Sequence, residues 1–391
     1  MKRAFIGLMA AALSIGMLSA CSGDDSGDAA NGEAAESIKI GVNYELSGGV
    51  ATYGQANVDG IKMAIDEINA AGGVDGKQVE LVQYDNKSEP AEATTLATKM
   101  MTQDGILAAI GPATSGSFKA TIPVANQNKV PVVSGSATAD DVTVGPSGVQ
   151  EYAFRTCFSD SYQGEAAAAY ALENLGATNA VIIKDNSSDY GKGLAETFTS
   201  RFTEGGGTIV AEEAYVTNDT DFNSILTRVR GQQFDVIYIP GYYNEAGLII
   251  KQARDLGIDA PILGADGFDS PTLLELAGPD ALNDVYFTNH YSSLDQDPAV
   301  QDFIAAFQEE YGQEPNAFHA LGYDTAKFVV DAIGRAAELT PEAVKDALAS
   351  TEGFTGVTGT ISVDENHNAV KSIVVIRLEN GVQSSSEKVD A

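Results

Sequence analysis

From Ile38 onward, short runs of branched apolar residues alternate with longer stretches whose apolar positions recur every three or four residues. Ile38–Tyr44, Val79–Tyr84, Ile106–Ile110 and Pro131–Ser134 read as strands. Gly54–Asn69 reads as a helix with Val58, Ile61, Ala64, Ile65 and Ile68 on one face. Ala91–Met101, with Pro90 at its first turn, and Ser117–Asn128 read as helices between the strands. A βαβ series of this kind predicts a parallel sheet covered by helices on both faces.

The pattern then restarts. Gln163–Asn174 is helical, Ala180–Lys184 a strand, Gly191–Glu204 a helix and Thr208–Tyr215 a strand. Phe222–Arg230, Val236–Ile239, Glu245–Leu256, Pro261–Leu263 and Val285–Phe287 continue the alternation. Two long helices follow, Ala299–Tyr311 and Ala317–Ala337, then a helix from Pro341 and strands at Gly359–Val363 and Ile373–Leu378. Two βα series and a mixed tail predict two doubly wound α/β lobes. The 391 residues are also too many for one ordinary core. No short-period repeat points to a solenoid.

The start of the chain has a different grammar. Lys2 and Arg3 precede an apolar run, Ala4 to Met17, and then Leu18-Ser19-Ala20-Cys21. This is a secretory signal, and its end on cysteine resembles a bacterial lipoprotein signal. The resemblance implies a signal peptide over 1–20, with Cys21 lipidated and left as the mature N-terminus. An ordinary signal peptide or a membrane anchor is the alternative, although the run is shorter than the roughly 20 residues that a spanning helix needs. The segment 21–37, rich in small and acidic residues, reads as a disordered tether.

Hydrophobic residues make up 44% of the chain and charged residues 20%, as in soluble globular proteins. The formal charge is −32, and loss of Lys2 and Arg3 with the signal takes it to −34. A field of that sign repels nucleic acid, which is excluded as a partner. With Cys21 taken by lipid, Cys157 has no partner and no disulfide is expected.

The motifs point to binding rather than covalent chemistry. The chain has no Gly-x-Gly-x-x-Gly fingerprint, no Walker loop and no Gly-x-Ser-x-Gly elbow. Its 3 histidines, His290, His319 and His367, are widely spaced, and neither a metal site nor a cofactor is expected. Strand ends are where open α/β sheets hold ligands. Two of them are rich in hydroxyls, Gly111 to Ser117 and Ser134 to Thr138. Each offers hydroxyls and backbone N–H groups to an anion, or serves simply to cap a helix. The second series offers Asp189-Tyr190-Gly191, Gly241-Tyr242-Tyr243 and Gly264-Ala265-Asp266-Gly267. Phenols and one carboxylate facing hydroxyls across a cleft suit a zwitterion. Taken singly, each tyrosine better suits a packed surface position, and Asp266 equally suits a turn before Gly267.

From Ile38 to about Leu378 the chain resembles the substrate-binding proteins of branched-chain amino-acid ABC transporters. The likeness is carried by Asp66 to Val74 (DEINAAGGV), Arg155-Thr156, Asp160 with Gln163-Gly164, Asp189-Tyr190-Gly191, Gly241-Tyr242-Tyr243 and Ala320 to Asp324 (ALGYD). It implies a type I periplasmic-binding-protein fold, two Rossmann-like lobes joined by three crossovers near Thr156–Phe158, Thr288–His290 and Val363–His367. The first lobe would comprise 38–156 and 290–363, the second 157–289 and 364–391. Carried over residue by residue, Ser115 and Thr138 bind the ligand carboxylate. Ser136 gives a carbonyl to its ammonium, with Ala137 between them also at the site. Tyr53 and Thr114 line the first-lobe wall, and Tyr190, Tyr242 and Asp266 face them, Asp266 countering the ammonium. Relatives often have Glu where Asp266 stands. Some also tie the loop near Ser88 to that near Thr114 by a disulfide, for which this chain has no cysteines.

The expected protein is therefore an exported, lipid-anchored, monomeric solute-binding protein, periplasmic or cell-surface, and not an enzyme. It would deliver an apolar or aromatic amino acid to an ABC permease. A plain carboxylate or an amide is the alternative ligand, and a ligand-sensing receptor component the alternative role.

Overall fold

The computed structural model describes residues 37–389. The expected signal peptide, Cys21 and all of the expected tether but Ser37 lie outside the described residues.

The first βα series runs β1 (Ile38–Tyr44), α1 (Ala51–Ala70), β2 (Val79–Asp85), α2 (Pro90–Lys99), β3 (Ala108–Ile110), α3 (Ser115–Asn128) and β4 (Val132–Ser134). A small hairpin, β5 (Val144–Gly145) and β6 (Gly148–Val149), precedes β7 (Ala153–Arg155). These strands form a parallel sheet in the order β2-β1-β3-β4-β7, with Ile40 facing Ala108 and Ser134 facing Arg155. Ile40, Val42, Ala108 and Ile110 are fully buried, which explains why the strand sequences are continuous apolar runs rather than alternating ones.

The chain then leaves for the second series: α4 (Asp160–Glu173), β8 (Asn179–Asp185), α5 (Asp189–Glu204), β9 (Thr208–Tyr215), α6 (Asn223–Arg230), β10 (Val236–Ile239), α7 (Tyr243–Asp255), β11 (Ile262–Gly264), α8 (Pro271–Ala277) and β12 (Val285–Asn289). It returns to the first lobe through α9 (Pro298–Tyr311), α10 (Ala317–Arg335) and α11 (Pro341–Ala349). A three-stranded antiparallel sheet follows: β13 (Phe354–Gly356), β14 (Gly359–Val363) and β15 (Ala369–Val370). Finally β16 (Ile373–Glu379) and β17 (Val382–Val389) complete the second sheet, ordered β17-β16-β12-β11-β10-β8-β9, with the last two strands antiparallel.

The last passage between lobes lies later than Val363–His367. An Asp364 turn, whose carboxylate accepts the N–H groups of Asn366 and Asn368, folds β14 back onto β15. His367 stacks on Phe154 of β7 with centroids 4.1 Å apart, and its carbonyl accepts from Arg155 N–H. Residues 364–370 therefore stay with the first sheet, and the chain crosses at Lys371–Ser372. There the buried Lys371 ammonium donates to the Thr156 carbonyl, at 3.4 Å, and to the Thr358 hydroxyl. Burial holds the Lys371 amine down at about 8.

Helices α1 and α10 meet at closer than ordinary range. A Cβ on Gly60 would stand 2.0 Å from the His319 carbonyl, and one on Gly322 would stand 2.1 Å from that of Asn57. Only glycine permits this approach, so the two helices lock through a pair of reciprocal backbone contacts.

Candidate functional site

In both sheets the order of strand addition reverses at an inner strand, β1 in the first and β8 in the second, while the strands around it stay parallel. The loops leaving β1, β3 and β4 face those leaving β8, β10 and β11, as expected of ligand sites at switch points.

On the first side, Glu45 follows β1 and is fully buried. Its carboxylate accepts the Ala113 N–H at 2.9 Å, the Thr114 N–H at 3.1 Å and the Thr114 hydroxyl at 2.8 Å. Burial raises its pKa and these hydrogen bonds oppose the rise. The result is a loop pinned at the start of α3, whose first-turn amides lack partners within the helix. Ser115, the first residue of α3, accepts the Ala139 N–H on its hydroxyl at 3.1 Å. The Ser134 hydroxyl donates to the Pro112 carbonyl at 2.7 Å and accepts from Ala137 N–H at 3.0 Å, while the Ser136 hydroxyl donates to the Ala113 carbonyl at 3.0 Å. The two hydroxyl-rich strand ends are thus laced to each other.

On the second side, Tyr190 donates to Asp266 Oδ1 at 2.7 Å. The Asp266 N–H is held by Gln163 Oε1 at 2.9 Å, an oxygen that also accepts the Thr288 hydroxyl at 2.7 Å. Asp266 opens a single 3-10 turn through Phe268, so it both shapes the turn and presents its carboxylate. Burial and the neighbouring Asp266 charge push the Tyr190 phenol well up, leaving it a donor. Asp160, at the start of α4, is also fully buried. The Thr138 hydroxyl lies beside it without closing a well-aligned hydrogen bond, and burial pushes its carboxyl well up.

The two sides touch. The Tyr53 hydroxyl donates to the Gly267 carbonyl and accepts from Tyr243 N–H at 3.3 Å. Thr52 and Ser270 share a hydrogen bond of 3.0 Å, and Tyr243 donates to the Gly49 carbonyl at 3.2 Å. Lys119 of α3 reaches both Asp141 and, at 2.8 Å, Asp189 of α5. Tyr53 stacks on Phe318 at 4.3 Å and meets Tyr242 edge-on at 5.7 Å, and Tyr190 stacks on Tyr242 at 5.0 Å.

Between the sides lies a cavity of about 10 Å³, continuous in its lining with a mouth of about 500 Å³. Tyr53, Thr114, Ser115, Ser136, Tyr190, Tyr242 and Asp266 line the cavity, together with Ala113, Gly267 and Phe318. Ala137 and Thr138 do not line it. Ala137 packs into the first-lobe core, and its carbonyl accepts from the Cys157 thiol at 3.4 Å. Thr138 is turned toward Asp160, and its carbonyl accepts from Asp160 N–H and Arg155. The thiol of Cys157, pushed up to about 12 by burial, is unreactive. Phe318, Gln163, Asp160 and His290 were not singled out as site residues from sequence. Gln163 and Asp160 did stand within a family motif.

Among the described residues no group of three His, Cys, Asp or Glu side chains is arranged to hold a metal, and no helix is long and apolar enough to cross a membrane.

Residues 37–383 match a family described as periplasmic binding protein. The chain belongs to that family. This periplasmic binding protein is 31% identical to the leucine-, isoleucine-, valine-, threonine- and alanine-binding protein of Pseudomonas aeruginosa, over 85% of its own length and 87% of the other's. It is 39% identical to the Leu/Ile/Val-binding protein BraC3 of Rhizobium johnstonii, over 64% and 67% of the two chains. Among solved structures, it superimposes with a TM-score of 0.87 on the branched-chain amino-acid transporter substrate-binding protein LivJ from Streptococcus pneumoniae in complex with isoleucine. The sequence identity is 43%, over 91% of this chain and 100% of that one. The architecture is that of type I periplasmic binding proteins, and the chain is a solute-binding protein of the branched-chain amino-acid ABC transporter family.

Proposed function

We propose that this protein captures an apolar α-amino acid, branched-chain first, between its lobes and delivers it to an ABC permease. One observation carries the reading: hydroxyls and a helix start stand on one wall of the cavity, a single carboxylate on the other, and aromatic rings between. A zwitterion with an apolar side chain matches all three. Ser115 with the start of α3 takes the carboxylate end, Asp266 and the Ser136 carbonyl take the ammonium, and Tyr53, Tyr190, Tyr242 and Phe318 enclose the side chain. Thr138 joins from behind by turning its hydroxyl from Asp160. The relatives' names, which give leucine, isoleucine and valine, support the choice of ligand. The cavity is far smaller than the 300–1,000 Å³ of typical ligand sites, so the lobes part to admit the ligand and close over it. No covalent chemistry is required of any residue. The lipid on Cys21 would keep the protein at the membrane that holds the permease, as the cysteine-ended signal implies.

The test is mass spectrometry of the small molecule that copurifies, followed by calorimetric titration with a panel of amino acids, aromatic acids and amides. Leucine, isoleucine or valine should bind in the micromolar range or tighter, about −8 kcal/mol. Binding confined to amides or to acids without an amino group would refute the assignment. Retention of a Cys21→Ser variant in the membrane fraction would remove the anchor.

A further inference from the structure

Asp266 is held from three directions. Tyr190 engages Oδ1, Gln163 holds the backbone N–H, and His290 Nε2 lies 3.3 Å from Oδ2. The imidazole is itself immobilised. It stacks on Phe158 with centroids 3.6 Å apart and planes 15° from parallel, and the His290 N–H donates to the Asn289 side chain at 2.9 Å. Phe158 and His290 lie on the segments joining β7 to α4 and β12 to α9, two of the passages between the lobes. The ring is completely buried.

We propose that His290 is a positioning residue for Asp266, fixing the carboxylate that pairs with the ligand ammonium and so setting the preference for amino acids over their deaminated analogues. The inference rests on the reading of the cleft as an amino-acid site. An ionised carboxylate only accepts hydrogen bonds, so Nε2 carries the proton and Nδ1 is the bare nitrogen. Nδ1 has no partner among the described residues, which leaves nothing to favour the other tautomer. Burial holds the ring down at about 4 despite Asp266 beside it, so it stays neutral at pH 7. A neutral donor orients Asp266 without cancelling its charge, and the full negative charge remains for the ammonium. A lysine or arginine in that place would orient and neutralise at once.

Two variants separate positioning from packing. His290→Phe keeps the stack on Phe158 and removes the donor, whereas His290→Gln keeps a donor of similar reach and removes the stack. Each is titrated with the best-bound of leucine, isoleucine and valine, and with the carboxylic acid of the same skeleton lacking the amino group. His290→Phe should lose about tenfold for the amino acid and less than threefold for the acid, while His290→Gln stays within threefold of the wild type on both. Equal losses on both ligands, no loss at all, or His290→Gln failing as badly as His290→Phe would overturn the proposal. Should His290→Phe not fold, nitrogen NMR of the wild-type ring at pH 7 decides: an Nδ1–H tautomer or an imidazolium overturns it, and Nε2–H together with a normal His290→Gln supports it. A wild type that binds the acid as tightly as the amino acid overturns the reading of the cleft, and the proposal with it, before any variant is made.

Discussion

The two lobes use the same topological positions for opposite chemistry. Each builds its half of the cavity at the carboxyl ends of three strands around its switch point, to which the first lobe adds Phe318 of α10. In the first lobe these loops carry hydroxyls and backbone amides, tied to one another and to buried Glu45. In the second they carry phenols and one carboxylate, tied to Gln163 and backed by His290. A repeated scaffold thus presents a donor-rich wall to an acceptor-bearing one. The lesson is that polarity across a cleft needs no asymmetry of fold, only of the side chains at equivalent strand ends. On this view the first lobe holds any carboxylate, and the second lobe decides whether it must also be an amine.

The largest expected effect concerns pH and treats the lobes alike. His290 behind the second wall and His319 at the start of α10 in the first are both held at about 4 by burial, below the ordinary 6.5. A folded-state pKa below the unfolded value means that the unfolded chain takes the proton first. Stability from these rings is complete above about pH 6.5 and drains away as pH falls toward 4, by up to about 3 kcal/mol each. Denaturant midpoints at pH 7.5, 5.5 and 4.5 should therefore fall less steeply in His290→Gln and in His319→Gln than in the wild type. Slopes unchanged in either variant would show that the ring is not buried neutral.

Next is the proposed division of labour itself. Asp266→Asn should weaken an α-amino acid by about 1.5–3 kcal/mol, ten- to over a hundredfold, and its deaminated analogue much less. Calorimetry with both ligands checks it, and equal losses would erase the contrast between walls. Ser115→Ala should cost about 1 kcal/mol on both ligands, because both carry the carboxylate. A loss confined to the amino acid would reverse the assignment of the walls. The smallest effect belongs to Lys119, which joins Asp141 of its own lobe to Asp189 of the other at partly exposed positions. Such pairs contribute about 0.2–1 kcal/mol. Lys119→Met should change affinity by no more than about fivefold, and the difference should vanish in 1 M salt, where screening extends only about 3 Å.

Much of this contrast was legible in the sequence. Apolar runs located β1, β8 and β10 because strands buried on both faces tolerate no alternation. Helix α1 begins at Ala51 rather than Gly54 because its cap, Val50, makes no side-chain hydrogen bond and so leaves no signal. Strand β17, with the sequence VQSSSEKV, was not recognised, since an outer antiparallel strand half in water needs no apolar run. Seven cavity residues were named through family motifs, although their partners were not. Phe318 reaches Tyr53 across 265 positions (318 minus 53), and Gln163 reaches Asp266 across 103. No local pattern encodes such meetings. Ser134, given no ligand role from sequence, serves the scaffold, and Ser136 faces the cavity.

The glycine contact between α1 and α10 bears on how the chain is made. Gly60 and Gly322 are 262 positions apart (322 minus 60), and the entire second βα series is synthesised between them. At roughly 5–20 residues per second, α1 waits about 13–50 s for the helix that covers it. During that interval the face of α1 that carries Tyr53 and Gly60, which Phe318 and His319 cover in the finished protein, has no α10 to shield it. The first lobe to be translated thus waits for its last helices until most of the second has been made, and the nascent chain carries an unfinished surface on α1 until α10 emerges.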